Sequence, residues 1–246
     1  MAATIDDAAY SRGVRERLAH IRERISAACA HSGRAADDVT LVAVTKYIDA
    51  AHTVLLAKEG VLHCGENRWQ SAQEKVDLGI PVQWHFIGPL QRNKAGKVAR
   101  HFDWVHSVDR ADLAADLSRY ATAAGRTVRA LLQVNLSGEL QKAGVAPYDV
   151  EDLLTRCRAL PGLSVEGLMM IGRPGQGPAA TVREFSALRK LRDGVGPRIG
   201  LSLPELSMGM SADYELAIEE GATLVRIGQS LVVGSTRETG DDPRDG

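Results

Sequence analysis

The stretch Val39-Thr-Leu-Val-Ala-Val-Thr45, followed by Lys46, decides the fold. It is short, mostly apolar and β-branched, which is typical of a strand covered on both faces, as in a parallel sheet. Before it, apolar residues recur at helical spacing over residues 10–31, with arginines and glutamates between them. That spacing predicts an amphipathic opening helix. The chain is therefore expected to begin with a helix and then a buried strand that ends at a lysine.

Downstream of Lys46, short apolar runs alternate with helical patterns. The runs predict further strands at residues 61–64, 82–87, 104–108, 128–134, 164–170, 205–208 and 223–227. The helical patterns fall at residues 50–58, 67–78, 93–99, 111–124, 150–160, 179–193 and 213–220. About eight βα units predict an α/β protein with a single (β/α)8 barrel of the TIM type and an extra N-terminal helix. A doubly wound open sheet is the competing architecture, and the seventh strand and the final short helix carry the weakest signals.

Composition and charge restrict the partners and the compartment. The chain has 246 residues and a formal net charge of −1. A charge this small produces no overall electrostatic attraction to nucleic acid or to an anionic membrane. Its cysteines, Cys29, Cys64 and Cys157, are far apart and odd in number, which disfavours a disulfide framework or a zinc site. No signal peptide or membrane-spanning run is recognisable, so we expect a cytoplasmic protein. Residues 1–234 are expected to form the barrel domain, and residues 235–246 a disordered tail.

Polar side chains collect where the predicted strands end, and Lys46 is the first of them. In parallel α/β folds, the loops after the strands converge on one mouth. A lysine at a strand end can simply extend to solvent, and for one residue alone that interpretation is the default. Partial desolvation at a mouth would favour the uncharged amine, which can attack an aldehyde. Lys46 is therefore a candidate nucleophile that needs an aldehyde partner.

The last two strand ends resemble an anion cradle. Ser207-Met-Gly-Met-Ser211 precedes one predicted helix and is expected to cap it, and Arg226-Ile-Gly-Gln-Ser230 leads from the last strand into another. Backbone N–H groups at helix starts attract anions, and barrels often hold a phosphate after their last two strands. A Ser-Gly-Ser turn alone is more often only a helix cap. Together with an aldehyde partner for Lys46, however, a phosphate site describes pyridoxal 5′-phosphate (PLP).

The chain resembles the family of PLP-binding proteins known as PLP homeostasis proteins, whose fold is similar to the N-terminal barrel of alanine racemase. The resemblance covers residues 41–234. Its most specific block is Trp84-His-Phe-Ile-Gly-Pro-Leu-Gln-Arg-Asn-Lys-Ala-Gly-Lys-Val98. Supporting blocks are Ala43-Val-Thr-Lys46, Gly65-Glu-Asn67, Leu206-Ser-Met-Gly-Met-Ser211 and Val225-Arg-Ile-Gly228.

The resemblance implies a role for each matching residue. Lys46 would hold PLP as a Schiff base, Arg226 would face the pyridine nitrogen, and Asn67 would lie beside the cofactor. The phosphate would contact the residues Ser207, Ser211 and Gly228, with backbone supplied by Met208, Gly209 and Met210. The chain departs from the family pattern at Thr45, where a serine is usual, at Gln229, where a smaller residue is common, and in the loop that retains Lys142 and Gly144.

We expect binding rather than turnover. Transaminase-type PLP enzymes place a carboxylate at the pyridine nitrogen, whereas the guanidinium of Arg226 can only donate hydrogen bonds. The resemblance covers only the barrel of alanine racemase, without the second domain that supplies its opposing acid/base. The expected function is PLP (vitamin B6) homeostasis by a non-enzymatic monomer that exchanges PLP transiently with apo-enzymes. A PLP-dependent racemase-like enzyme and a barrel aldolase using Lys46 are the alternatives.

The roles of two further groups of residues in the block Trp84–Val98 have more than one interpretation. His85 reads as a hydrogen-bonded barrel histidine, and Asn93 and Lys94 read as caps of the following helix. The alternative is a second phosphate or transfer patch formed by Arg92, Lys94, Lys97 and Arg100.

Overall fold

Strands and helices alternate along the chain in the predicted order. A computed structural model describes residues 7–139, 141–173 and 175–233. The strands are β1 Thr40–Val44, β2 His63–Glu66, β3 Gln83–Phe86, β4 Trp104–Val108, β5 Val128–Gln133, β6 Leu163–Met169, β7 Glu205–Met210 and β8 Leu224–Ile227. The helices are α1 Asp7–His31, α2 Ala50–Lys58, α3 Trp69–Asp77, α4 Arg92–His101, α5 Ala111–Ala123, α6 Val150–Cys157, α7 Pro178–Ile199, α8 Tyr214–Glu219 and α9 Gln229–Val232. Short 3₁₀ turns lie at Ala36–Asp38 and Pro147–Asp149.

The eight strands form a closed parallel barrel. Each strand pairs with the next, and β8 pairs with β1 from Thr40 opposite Leu224 to Ala43 opposite Ile227. This closure confirms the predicted (β/α)8 barrel and excludes the open sheet, because an open sheet would leave β1 or β8 at an edge.

Alternation along the strands separates two cores. Outward-facing apolar side chains pack beneath the helices in one large cluster. A second, smaller cluster fills part of the barrel interior and consists of Val42, Trp104, Leu131, Met169 and Leu224. The interior of a barrel is packed with layers of side chains rather than left as a pore. Here polar residues complete those layers, as described below.

Helix α1 is the predicted extra helix, and it packs outside the closure between β8 and β1. Its buried side chains contact α2, α8 and α9, the helices that flank this junction. Arg17 Nε donates to the carbonyl oxygen of Leu231 at 2.7 Å. Arg34 Nη1 donates to the carbonyl oxygens of Ile218 and Ala222 at 3.0 and 2.8 Å. These bonds join the start of the chain to its last βα unit.

Several element boundaries differ from the sequence-based expectation, most of them by one to three residues. Helix α7 continues past residue 193, through Pro197, because Val195 and Gly196 are buried, and it ends at Gly200, which has a left-handed φ of 66°. Strand β7 continues to Met210, two residues beyond its predicted end, and neither Ser207 nor Ser211 is the N-cap of the following helix. The expected hydroxyl cap is therefore wrong. The N-cap of α8 is Asp213, whose Oδ1 accepts a bond from Met210 N at 2.6 Å.

None of the helices in the described ranges combines the length and the apolar character needed to cross a bilayer. The predicted tail, residues 235–246, lies outside the described residues.

Candidate functional site

A cavity of about 1010 Å³, here called the mouth cavity, opens at the carboxyl ends of the strands. Its walls come from the residues that follow β1, β2, β3, β6, β7 and β8, with a contribution from α1. Six of the nine predicted site residues line it, namely Lys46, Asn67, Met210, Ser211, Arg226 and Gly228. The carboxyl end of the first strand and the last two strand–helix junctions therefore share one space.

The mouth cavity is lined by cations without a matching carboxylate. Arg17, Lys46 and Arg226 line it together with His20, whereas none of its described lining residues is Asp or Glu. Lys46 lies within 4 Å of no carboxylate in the described part of the chain, and its Nζ is 4.8 Å from the centre of the Tyr47 ring. The side chain is exposed at the wall of the cavity, and the partial desolvation expected from the sequence stays a prediction. The lining favours an anionic ligand.

A buried ion pair fixes the backbone next to Lys46. Glu66 is fully buried and lies 2.6 Å from Lys75 Nζ, which is itself almost completely buried. Lys75 Nζ also donates to the carbonyl oxygen of Thr45 at 2.6 Å, and the Thr45 hydroxyl donates to Glu66 at 2.6 Å. Ser71 adds a third bond to Glu66 at 3.0 Å. We call Thr45, Glu66, Ser71 and Lys75 the Thr45 clamp, because it holds the end of β1 from which Lys46 projects.

Arg226 reaches the cavity from inside the barrel. It is 4% exposed, and burial lowers its pKa to about 10, an effect that the nearby carboxylate of Asp213 partly offsets. The guanidinium therefore remains a cation at neutral pH. It donates to Ser207 Oγ at 2.5 Å and to the carbonyl oxygen of Met170 at 2.9 Å. A salt bridge at the strand end, the simpler explanation for an arginine here, is absent among the described residues.

Three predicted site residues do not line the mouth cavity. Ser207 is fully buried inside the barrel, where its hydroxyl contacts Arg226 and His106. Met208 is fully buried in the outer core. Gly209 has a φ of 89°, and a Cβ there would lie 2.6 Å from that of Ala217, so a larger residue would collide with α8. These three residues fix the course of β7 toward Met210 and Ser211.

The junctions after β7 and β8 are in direct contact. Gly228 N donates to Ser211 Oγ at 3.3 Å, and α9 starts at the next residue, Gln229. Gly228 also packs closely on Tyr47, since a Cβ would lie 2.9 Å from that ring. Ser230 is exposed and lines the same cavity. Hydroxyl groups and backbone N–H groups of both junctions thus lie at one end of the cavity.

A row of hydrogen-bonded side chains runs through the barrel below Arg226. His63 Nδ1 lies 3.0 Å from His85 Nε2, and His85 Nδ1 lies 2.9 Å from His106 Nε2. His106 Nδ1 in turn lies 2.9 Å from Ser207 Oγ, which Arg226 also contacts. The interpretation of His85 as a hydrogen-bonded barrel histidine is confirmed.

The two inner histidines are held neutral by their surroundings. Burial lowers the pKa of His85 well below 6.5, and the neighbouring His106, His63 and Arg129 lower it further. Burial followed by the charge of Arg226 does the same for His106. No group of His, Cys, Asp or Glu in the described ranges is arranged to hold a metal ion. The histidine nitrogens face one another instead.

Stability should therefore fall in weak acid. The pKa of His85 and of His106 is lower in the folded state than the ordinary 6.5, so the unfolded state takes up protons first as the pH falls below 6.5. Each histidine should lower the free energy of unfolding by up to about 1.4 kcal/mol per pH unit. Urea unfolding between pH 7 and about pH 5 measures this slope, above the range in which carboxylates titrate.

A free energy of unfolding that stays constant between these pH values would contradict the buried, neutral state of the inner histidines.

The structure adds site residues that sequence reasoning missed. Arg17 and His20 line the cavity from α1, and Tyr47 and Pro89 line it from the loops after β1 and β3. Tyr47 follows one of the blocks that carry the family resemblance, and Pro89 lies within another, so the sequence contained a signal for both. Arg17 and His20 had no such signal, because a helical pattern does not tell where the helix packs.

The basic residues proposed as a transfer patch lie elsewhere. Arg92 pairs with Asp116 of α5 at 2.6 Å, and Lys97 lies over the Trp69 ring at 5.6 Å. None of the four patch residues is among those that line the mouth cavity. The N-cap of α4 is Gln91, so the expected caps, Asn93 and Lys94, lie inside the first turn.

Comparison with known proteins identifies relatives over almost the whole chain. The family described as alanine racemase, N-terminal domain, matches residues 17–236. The chain is 43% identical over 220 residues to the pyridoxal phosphate homeostasis protein of Pseudomonas aeruginosa, covering 89% of this chain and 94% of that protein.

Solved structures of similar proteins also superpose on almost the whole chain. PipY of Synechococcus elongatus, determined with PLP bound, superposes with a TM-score of 0.79 at 38% identity, covering 89% of this chain and 99% of that one. Alanine racemase of Clostridium difficile superposes with a TM-score of 0.72 at 17% identity, covering 89% of this chain and 56% of that one. The second similarity is one of fold alone.

Proposed function

The chain belongs to the alanine racemase N-terminal domain family, and from that membership we propose that it binds PLP as a Schiff base on Lys46 and acts in intracellular PLP (vitamin B6) homeostasis. One observation carries the proposal. The mouth cavity combines the unpaired amine of Lys46 with the buried cation of Arg226 and has no carboxylate in its described lining. An aldehyde that bears an anion matches both features.

The residues present fit the cofactor in each of its parts. When bound, PLP would supply an aldehyde that condenses with an amine with loss of water. Lys46 would hold the aldehyde carbon, Asn67 would lie beside the ring, and Arg226 would donate to the pyridine nitrogen. Ser211 and Gly228 would hold the phosphate, because they lie together at one end of the cavity, whereas the N–H of Met210 donates to Asp213. Ser207, Met208 and Gly209 would act indirectly, by fixing β7.

Arg226 favours storage of the cofactor over turnover. A guanidinium only donates hydrogen bonds, so it would keep the pyridine nitrogen unprotonated and the ring a weak electron sink. With a pKa of about 10, Arg226 stays a cation at neutral pH, and its positive charge would disfavour a proton on the adjacent pyridine nitrogen. This chemistry suits reversible capture. We propose that the protein is not an enzyme.

A racemase-like enzyme is the second candidate, and Tyr47 is the observation that favours it. Its ring lies beside Lys46 in the cavity and could carry a second acid/base group. A two-base racemase needs such groups on opposite faces of the cofactor. Lys46 and Tyr47 follow the same strand end and contact each other. That adjacency favours the storage role.

The remaining proposals concern partners and location. We propose a cytoplasmic monomer that exchanges PLP with apo-enzymes. Free, buried cysteines fit a reducing compartment. Several exposed apolar side chains lie around the mouth cavity, namely Tyr47, Ile171, Met210 and Val233. They would cover the open face of a bound ring or contact an acceptor protein.

Titration of the purified chain with PLP, pyridoxal and pyridoxine 5′-phosphate tests the function. PLP should bind most tightly and give a visible absorbance band, because it alone offers both an aldehyde and a phosphate. The same holo-protein should show no racemisation or transamination across the common amino acids. A chain that stays colourless with PLP contradicts the proposal, and robust turnover of an amino acid would favour the second candidate.

A further inference from the structure

A line of hydrogen-bonded polar side chains crosses the barrel interior. It starts at His63, which is partly buried at the amino end of β2, and passes through the fully buried His85 and His106 to Ser207. It ends at Arg226 in the mouth cavity. Each of the four links is between 2.5 and 3.0 Å long. Buried polar groups of this kind need every partner satisfied, so the positions of the protons can be worked out.

The arginine sets the direction of the hydrogen bonds. Arg226 can only donate, so Ser207 Oγ accepts from it and has one proton to give. The acceptor within reach is His106 Nδ1, at 2.9 Å. His106 then carries its proton on Nε2 and donates it to His85 Nδ1, and His85 Nε2 donates in the same way to His63 Nδ1.

The opposite direction leaves a proton without an acceptor. His106 would then donate to Ser207 Oγ, which already accepts from Arg226. The described residues offer the Ser207 hydroxyl no other hydrogen-bond partner. A buried hydroxyl proton with no acceptor costs about 1–3 kcal/mol. Only the direction that starts at Arg226 satisfies every group.

We propose that Ser207, His106, His85 and His63 form a directional hydrogen-bond relay that positions Arg226, with each histidine in its Nε2–H tautomer. One guanidinium nitrogen of Arg226 donates a hydrogen bond to Ser207, and a second donates to the carbonyl oxygen of Met170. The remaining N–H groups are then held toward the mouth cavity. The relay residues are positioning residues, and their effect on a ligand rests on the proposed function.

The surroundings of the relay support a positioning role over simple space filling. The rings of His85 and Trp104 stack at 5.4 Å with only 9° between their planes. The guanidinium of Arg129 lies over the Trp104 ring, with its central carbon 3.9 Å from the ring centroid. This stack fixes the plane of His85 and hence the directions of both its nitrogens. A histidine that only filled space would not need a fixed plane.

The first experiment uses the ligand-free protein. In ¹⁵N NMR at pH 7, His63, His85 and His106 should each be neutral, with the proton on Nε2. An Nδ1–H tautomer or an imidazolium signal at His85 or His106 would overturn the relay. This measurement decides the proposal even if the protein does not bind PLP, so its failure is distinguishable from failure of the proposed function.

The second experiment tests positioning in the PLP-loaded protein. Ser207→Ala and His106→Gln should weaken PLP binding by about tenfold, as expected for one hydrogen bond to a charged group, and should shift the absorbance maximum of the bound cofactor. Ser207→Thr keeps the hydroxyl and should restore the spectrum. His31→Gln, at the exposed end of α1, is the control.

Pyridoxal separates this role from a direct phosphate contact. If Ser207 positions Arg226, Ser207→Ala weakens PLP and pyridoxal by the same factor, since both carry the pyridine ring. A loss confined to PLP would assign Ser207 to the phosphate and overturn the relay. An unchanged spectrum and unchanged affinity in both Ser207→Ala and His106→Gln would overturn it as well.

Discussion

Replacing Lys75 with methionine should lower the free energy of unfolding by about 3–5 kcal/mol. The substitution removes the cation of the Thr45 clamp and leaves Glu66, which is fully buried, with only two hydroxyl donors. Breaking a buried pair costs far more than breaking a surface pair, because the remaining charge keeps its desolvation penalty. Urea denaturation at pH 7 measures the loss directly.

Two variants serve as controls for this result. Lys190→Met, on the exposed face of α7, should change the free energy of unfolding by no more than about 0.5 kcal/mol. The double variant Lys75→Met with Glu66→Leu should be more stable than Lys75→Met alone, because no buried charge remains. If Lys75→Met unfolds like wild type, the pair is not buried as described.

The Lys46→Ala variant should lose all covalent attachment of PLP and keep the fold. Lys46 is exposed and, among the described residues, lies within 4 Å of no carboxylate, so the free energy of unfolding should change by less than about 0.5 kcal/mol. Arg226 and the cradle at Ser211 remain, and PLP should still bind weakly and reversibly. Borohydride reduction followed by peptide mapping should find the label on Lys46 in wild type and on no peptide in the variant.

Lys190→Ala provides the matched control and should be labelled at Lys46 like wild type. The assignment fails if Lys46→Ala keeps the borohydride-resistant label at full stoichiometry. Unlike the Lys75 result, which measures the support beneath the site, this outcome depends only on the reacting amine.

The barrel fold and much of the lining of the mouth cavity could be predicted from the sequence. Short apolar runs alternating with helical patterns allow few other folds, and strand ends in a parallel barrel must meet at one mouth. Lys46, Asn67 and Arg226 could therefore be assigned to a common site, because each follows or ends a predicted strand. Their chemical roles stay predictions.

The sequence did not predict which way certain side chains point or which distant segments they contact. Ser207 carries a hydroxyl suited to a phosphate, but the alternation along β7 turns it into the barrel, toward His106, 101 residues away. Lys75 has the pattern of a surface lysine on a helix, and only the packing of α3 on β2 buries it against Glu66. No spacing rule in one sequence relates these positions.

The pairing of β1 with β8 has a consequence for biosynthesis. A ribosome releases Thr40 long before Leu224, so the first strand waits with one unpaired edge until nearly the whole domain has been made. Part of the packing of helix α1 is delayed as well, because Arg17 binds the carbonyl of Leu231 and the helix contacts α8 and α9. Until β8 leaves the ribosome, the nascent chain therefore carries an unpaired strand edge, which is a common site of misassociation.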